Sequence, residues 1–473
     1  MRLFASVVVC VSVLGALGLA PSAARAADPT EPAFRALYKE LVETNTTLSS
    51  GDCTVAAQQI AARMKAAGYA DADLNVFTAP GHPKEGGLIA TLHGRDSKAK
   101  AILLLAHIDV VEAKRADWTR DPFTLVEEGG YFYGRGTSDD KAMAAAFADN
   151  MIRYRKEGFR PRRDVKLALT CGEENGGLAF DGAEWLVKTH KDLIDAEFAL
   201  NEGAGGALDD KGRRVYMGIQ AGEKVYQDFR LEATNPGGHS SLPRPDNAIY
   251  HVAVALAHLS AYEFPIRMSD TTKAYFTRTA PLVGGEAAAA MTTLVAHPDD
   301  KAADAIVSRD PVWHSMLRTT CVATMLEGGH AANALPQRAA ANVNCRIFPG
   351  MSVPEVQAIL TAVVNDPKVS VTPVGNLAPT PPPPPLTERV LGPAEAVAHA
   401  MWPGVPVLPM MSTGATDGSY LNAGGIPTYG LSGMFADASL GNIHGLNERI
   451  SVQSLMEGRE YLYRVVKLYA DGK

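Results

Sequence analysis

Six apolar residues in a row, Ala101-Ile-Leu-Leu-Leu-Ala106, run directly into His107-Ile108-Asp109, and a second run, Val165-Lys-Leu-Ala-Leu169, leads to Glu173-Glu174. Runs this short and this apolar are read as strands buried on both faces, the condition of a parallel sheet whose crossover helices cover it above and below. Open α/β sheets keep their chemistry at the carboxyl ends of such strands. An imidazole and several carboxylates therefore stand where a site belongs.

From about Asp28 to Tyr216, helical stretches alternate with strands, which predicts an α/β fold with a mainly parallel sheet. Helices are expected over 31–43, over 54–67 with Gly68 as C-cap, and over 141–156, the last entered from Ser138 and Asp139 after the loop Gly134-Arg135-Gly136. After Gly222 the texture changes. An alternating strand over 225–234 is followed by the loop Asn235-Pro-Gly-Gly-His239-Ser-Ser and a helix over 247–261. Strands near 319–326 and 339–347 come next, then a helix opened by the capping box Ser352-x-x-Glu355. This reads as a small α+β domain, ended by five successive prolines, Pro381 to Pro385, that form a stiff polyproline connector. The tail from Thr387 returns to the first texture, with Ser451 capping a closing helix. The expected division is an α/β domain over 27–221 and 377–473, with the α+β domain, 222–376, inserted within it.

A chain of 473 residues exceeds one ordinary core, which agrees with two domains. A formal net charge of -7 gives no electrostatic footprint for nucleic acid or an anionic membrane. Residues 1–26 combine Arg2, an apolar stretch from Leu3 to Leu19 and the small-residue site Ala24-Arg25-Ala26, the pattern of a secretory signal peptide cut near Ala26, so a secreted, periplasmic protein is expected, with no membrane attachment after cleavage. Cys53, Cys171, Cys321 and Cys345 then remain. They are too few for a disulfide framework; one bridge between Cys321 and Cys345 and buried free thiols are the alternatives.

Strand-end and loop positions, taken in order, give His107, Asp109, Asp139, Glu173, Glu174, Glu202 and His444. Two imidazoles with several carboxylates suit Zn²⁺ or Mn²⁺ and suit copper or iron–sulfur centres poorly. A pair of metals needs a bridging carboxylate, an imidazole for each ion and a free carboxylate to handle water. One such residue alone is more often a satisfied polar group or a solvated loop carboxylate; seven, each after an apolar strand or a Gly-rich turn, favour the metal site.

The blocks His107-Ile-Asp109-Val-Val, Tyr133-Gly-Arg-Gly-Thr-Ser-Asp139-Asp-Lys141, Cys171-Gly-Glu173-Glu174, Asn201-Glu202-Gly203, Gly238-His239-Ser-Ser and His444-Gly-Leu-Asn-Glu448 resemble the signature of metallopeptidase family twenty. That family holds aminoacylases, glutamate carboxypeptidases, dipeptidases and succinyl-diaminopimelate desuccinylases, and this chain is most similar to its carboxypeptidase S type. The resemblance implies a di-zinc catalytic domain, with Co²⁺ or Mn²⁺ as other possible ions, and an inserted lid or dimerisation domain that brings with it a homodimer. It implies that Asp139 bridges the metals, that His107 and Glu202 complete one ion, and that Glu174 and His444 complete the other. Asp109 would orient His107, Glu173 would be the general base, and the Asp139–Asp140 peptide bond would be cis. His239 would stabilise the oxyanion; Asn333 and Arg346 would hold the substrate, Arg346 by clamping a free carboxylate, with a strand-surface ion pair as its alternative. Asp417 would shape the pocket.

The chain departs from the family pattern at Ala142, where a glycine is usual, and in extra sequence from about Met268 to Met316, which bears on the dimer contact. The expected activity is hydrolysis of the amide bond of an N-acyl amino acid or short peptide with a free carboxylate. Glu rather than Asp at position 202 leans toward deacylases. A carboxypeptidase or dipeptidase is the close alternative, and a catalytically inactive binding protein the remote one. A nucleotide enzyme is disfavoured, because Gly134-x-Gly136 lacks the spacing of a dinucleotide fingerprint.

Overall fold

A computed structural model describes residues 28–175, 180–437 and 439–472; the signal-peptide reading falls outside them. Four strands, Val165–Thr170, Ile102–His107, Phe198–Asn201 and Thr428–Gly430, run parallel at the centre of a ten-stranded sheet. Antiparallel strands flank them, Leu74–Ala79 and His82–Leu92 on one side and Arg214–Glu223 on the other, where Val407–Ser412 also pairs in parallel. Every residue of Ile102–His107 is buried, and alternate side chains enter different cores. Ile102, Leu104 and Ala106 pack with the helices Glu31–Glu43, Cys53–Ala66, Lys141–Lys156, Glu388–Met401 and Val452–Asp471; Leu103 and Leu105 pack with Gly182–Thr189 and Gly418–Ala423. Helices on both faces explain why this run carries no polar alternation.

At Lys224 the chain leaves the large sheet and enters a four-stranded antiparallel sheet ordered Thr320–Gly328, Arg338–Ile347, Val225–Thr234, Val369–Pro373. Its inward side chains, Phe229, Leu231, Ala341 and Val343, pack with the helices Ala248–Ser260 and Val353–Val364. The extra sequence forms four helices, Asp270–Val283, Gly285–Ala296, Lys301–Val307 and Pro311–Leu317, whose buried side chains reach Leu408 and Met411 of the large sheet.

Two expectations need correction. All four cysteines are paired: Cys321 and Cys345 lie directly opposite on neighbouring strands, while Cys53–Cys171 joins residues 118 apart. Only the packing of helix Cys53–Ala66 against the sheet brings that second pair together, so no local pattern announces it. The capping box at Ser352 is half made: Ser352 Oγ accepts from the Glu355 N–H, but the Glu355 carboxylate is drawn off by Arg267 at 2.9 Å. A complete box opens the helix at Asp270 instead, between Ser269 and Thr272. The proline run is tied to the main core, where the Tyr429 hydroxyl donates to Pro385 O at 2.6 Å and Leu386 packs. Among the described residues no helix is long and apolar enough to cross a membrane.

Candidate metal centre

The parallel strands deliver the ligand candidates to one end of the sheet. His107 closes its strand with its ring almost wholly buried, Glu202 follows Phe198–Asn201, and the short turn Glu173–Asn175 follows Val165–Thr170 after two residues. Asp139 arrives from the Gly-rich loop just before Lys141–Lys156, and its peptide bond to Asp140 is cis. His444 comes from a tightly bent loop in which four non-glycine residues, Leu440, Asn442, His444 and Asn447, take positive φ. Left-handed backbone of this kind persists only where its surroundings hold it.

Asp139 is shared by two clusters. Its Oδ1 lies 3.0 Å from His107 Nε2 and its Oδ2 lies 3.1 Å from His444 Nε2. Glu202 approaches the first ring at 3.8 Å and Glu174 the second at 3.0 Å. Within each trio, His107–Asp139–Glu202 and Asp139–Glu174–His444, the ligand atoms lie within 4.8 Å of one another. Three carboxylates and two imidazoles converge, with no lysine or arginine bonded to them among the described residues, and one carboxylate turns an oxygen to each ring. That donor set fits a pair of divalent cations sharing Asp139.

The electrostatics of the protein alone agree. Burial works against ionised Asp139, yet hydrogen bonds with His107 and His444 hold its carboxyl well below the usual range. Asp139 and then Glu174 push His444 up to about 10. Burial, followed by the charges of Glu174, Asp139 and Asp109, pushes Glu173 well above an ordinary carboxylate, although His107 opposes it. A carboxylate with raised proton affinity is a stronger base than an exposed one. The other ring nitrogen, His107 Nδ1, meets the main-chain oxygen of Asp109 at 3.1 Å and its carboxylate at 3.6 Å, while Asp109 Oδ2 accepts the Glu174 N–H. Asp109 thereby touches a ligand candidate of each trio.

The remaining site candidates share no hydrogen bond or ion pair with this cluster among the described residues. His239 is exposed on Gly238–His239, which pairs with Ala334–Leu335, and its Nδ1 lies 2.7 Å from Ser241 Oγ. Asn333 is its neighbour, with its carbonyl accepting the Ser240 N–H. Neither hydrogen-bonds to the carboxylate–imidazole cluster among the described residues. Arg346 is half-buried over the Tyr226 ring at 4.8 Å and makes no ion pair among the described residues, which leaves its guanidinium open to an anion. Asp417 is only 3% exposed, accepts from Thr170 Oγ1 at 3.1 Å and faces Asp181. It does not line the cavity of about 500 Å³ that reaches Asp139 and Glu202.

Sequence reasoning passed over Arg135 and Glu448. The buried Glu448 carboxylate accepts from the N–H groups of Gly136, Ser138 and Asp139 and from Arg135 Nη1 at 2.7 Å. Arg135 also donates to Gly445 O, so one buried ion pair clamps the Asp139 loop to the His444 loop. The available signal was the acid that ends the His444 block, read beside a glycine-flanked arginine.

Residues 103–468 match the family described as Peptidase family M20/M25/M40. The chain is 27% identical over 394 residues to Probable carboxypeptidase S-like 2 of Dictyostelium discoideum, covering 80% of this chain and 74% of that protein. It is 28% identical over 388 residues to the N-fatty-acyl-amino acid synthase/hydrolase PM20D1 of Homo sapiens, covering 80% and 76%. Among solved structures it resembles an M20 family metallo-carboxypeptidase from Sulfolobus solfataricus, with a TM-score of 0.68 at 19% identity over 92% of this chain and 99% of the other. The last likeness concerns the fold alone.

Proposed function

We propose, on the premise that this chain belongs to peptidase family M20/M25/M40 and is a metal-dependent hydrolase, that it cleaves the amide bond of N-acyl amino acids with a free carboxylate. The observation that carries this reading is the position of Asp139, with one oxygen toward each histidine ring and Glu173 beside it. His107, Asp139 and Glu202 would hold one ion, and Asp139, Glu174 and His444 the other; zinc is the proposed metal, with cobalt or manganese as substitutes. Two such cations would supply Lewis acidity toward the attacking water and the scissile carbonyl.

Glu173 takes the proton of the attacking water and passes it to the leaving amine nitrogen, so that water oxygen joins the acyl carbon as the C–N bond breaks. His239 donates to the developing oxyanion, which requires the 222–376 region, read here as the lid, to close over the cluster. Arg346 and Asn333 hold the amino acid's carboxylate end. The name of the human relative favours an acyl substrate over a peptide. Two disulfides support a secreted, periplasmic setting, because such bonds persist in oxidising compartments. A homodimer is proposed through the unpaired edge of Thr320–Gly328, where Val322, Met325 and Leu326 are exposed.

The test is amino acid release by zinc-loaded protein, with and without chelator, from matched N-acyl amino acids and dipeptides. Chelator-sensitive release with faster cleavage of the acyl compounds is expected; faster cleavage of dipeptides would make the protein a peptidase, and no release with two metals bound would restore the binding-protein alternative. His239→Ala is expected to lower kcat by about a hundredfold or more with metal content unchanged. Loss of metal from that variant would make His239 a ligand and remove its oxyanion role.

A further inference from the structure

We infer that Lys224 is a positioning residue for the substrate's carboxylate, setting a second positive charge beside Arg346, an inference that rests on the N-acyl amino acid reading above. Lys224 is the single residue between the strands Arg214–Glu223 and Val225–Thr234, where the chain passes from the large sheet to the small one. Its N–H donates to Ser412 O of the large sheet at 3.0 Å, while its wholly buried side chain runs into the inserted region. There Nζ meets Ser315 O at 3.0 Å, Ser315 Oγ at 3.1 Å and Thr320 Oγ1 at 2.9 Å. Three neutral acceptors use all three donors of the ammonium, and no carboxylate pairs with it among the described residues.

The sheet register brings that charge to Arg346. Tyr226, Arg346 and Thr320 lie directly opposite one another on three neighbouring strands and so share a face, and Lys224, two residues before Tyr226, begins the same row. Thr320, which pairs with Arg346, is the residue whose hydroxyl accepts from Lys224. Arg346 is half-buried and makes no ion pair among the described residues. Two cations therefore stand together without a counter-charge, an arrangement that a bound carboxylate would relieve.

The charged neighbours are occupied elsewhere. Arg318 is held by Asp304 and, at 3.2 Å, by Glu263, and His314 is kept below its usual range by burial and by Arg318. Asp228, whose charge reaches Arg346, accepts from the Tyr226 hydroxyl at 2.8 Å and from Asn342 and Asn344. Glu223 turns to Gln220 and Thr416, accepting at 2.9 Å and 2.7 Å. Burial, followed by the charges of Arg346 and Arg318, pushes Lys224 down to about 7. A carboxylate on Arg346 cancels its repulsion, so Lys224 takes a proton from solvent as the substrate binds. Affinity for the carboxylate is then full below about pH 7 and weakens as the pH rises above it.

The experiment compares an N-acyl amino acid with its carboxamide, which has the same scissile bond and no charge, on the zinc-loaded protein. Ionisations at the metal centre act on both substrates and cancel in the ratio of their kcat/KM values. In the wild type that acid-to-amide ratio is expected to fall about tenfold from about pH 6 to about pH 9, the effect of a tenfold change in one lysine's proton affinity. Lys224→Met, of similar length and uncharged, should give a ratio that is low and flat with pH. Lys224→Arg, charged throughout, should give one that is high and flat. Glu223, which burial pushes up to about 7, titrates in the same range, but its effect would survive in Lys224→Met. If either variant does not fold, the wild-type profile and the other variant decide. A ratio that is flat in the wild type, or that still falls in Lys224→Met, overturns the role of Lys224 and leaves the deacylase reading standing. Cleavage of no acyl amino acid at any pH overturns both.

Discussion

Glu173→Gln is expected to keep both metals and to lose hydrolysis by roughly 10²- to 10⁴-fold, the usual range for a general acid–base group. Glutamine keeps the shape of the side chain and its hydrogen-bonding reach but cannot take a proton from water or return one to nitrogen. Glu173 is a carboxylate at the centre that belongs to neither ligand trio, and burial raises its proton affinity above that of an exposed acid. The loss should fall on kcat with KM little changed, because the interaction removed is made only in the transition state. Metal analysis beside steady-state kinetics decides the matter. Undiminished turnover would assign the proton transfers to another group, and departure of a metal would make Glu173 a ligand.

Glu448→Ala is expected to destabilise the protein by about 3–5 kcal/mol, the cost of leaving a buried charge without its partner. Arg135, itself buried, would lose that partner, and the N–H groups of Gly136, Ser138 and Asp139 would lose their acceptor. Glu448→Gln should recover only part of the loss, since all four contacts require acceptors and an amide offers one oxygen. Because those N–H groups belong to the loop that carries Asp139, zinc should also leave both variants at a lower chelator concentration. Denaturant melts of the metal-free protein separate the two effects. Wild-type stability together with wild-type zinc retention would mean that the ion pair positions nothing.

Much of the catalytic sheet was legible because its signals are local. An unbroken apolar run marks a strand covered on both faces, and the residue that ends it stands at the rim, which is how His107 and Glu202 could be picked out. Helices over 31–43 and 141–156 lie where the sequence pattern predicts. What escaped depends on residues far apart in the chain. Cys53 meets Cys171 across 118 residues and Arg135 meets Glu448 across 313, through packing that no window of sequence contains. The capping box at Ser352 failed for the same reason, since Arg267 competes for its glutamate. The stretch from about Met268 to Met316 could be recognised only as extra sequence, because its four helices find their shared core by folding back on Leu408 and Met411.

The Cys53–Cys171 bond lies two residues before Glu173 and ties the approach to that turn to the first residue of a helix in the main core. The segment bearing Glu173 is therefore anchored covalently only where thiols are oxidised. Chain produced in a reducing cytosol, or assayed with a thiol reductant in the buffer, has that anchor cut, and a low rate measured on such a sample speaks of its preparation before it speaks of the enzyme. The redox history of the sample belongs among the controlled variables of every kinetic comparison made on this protein.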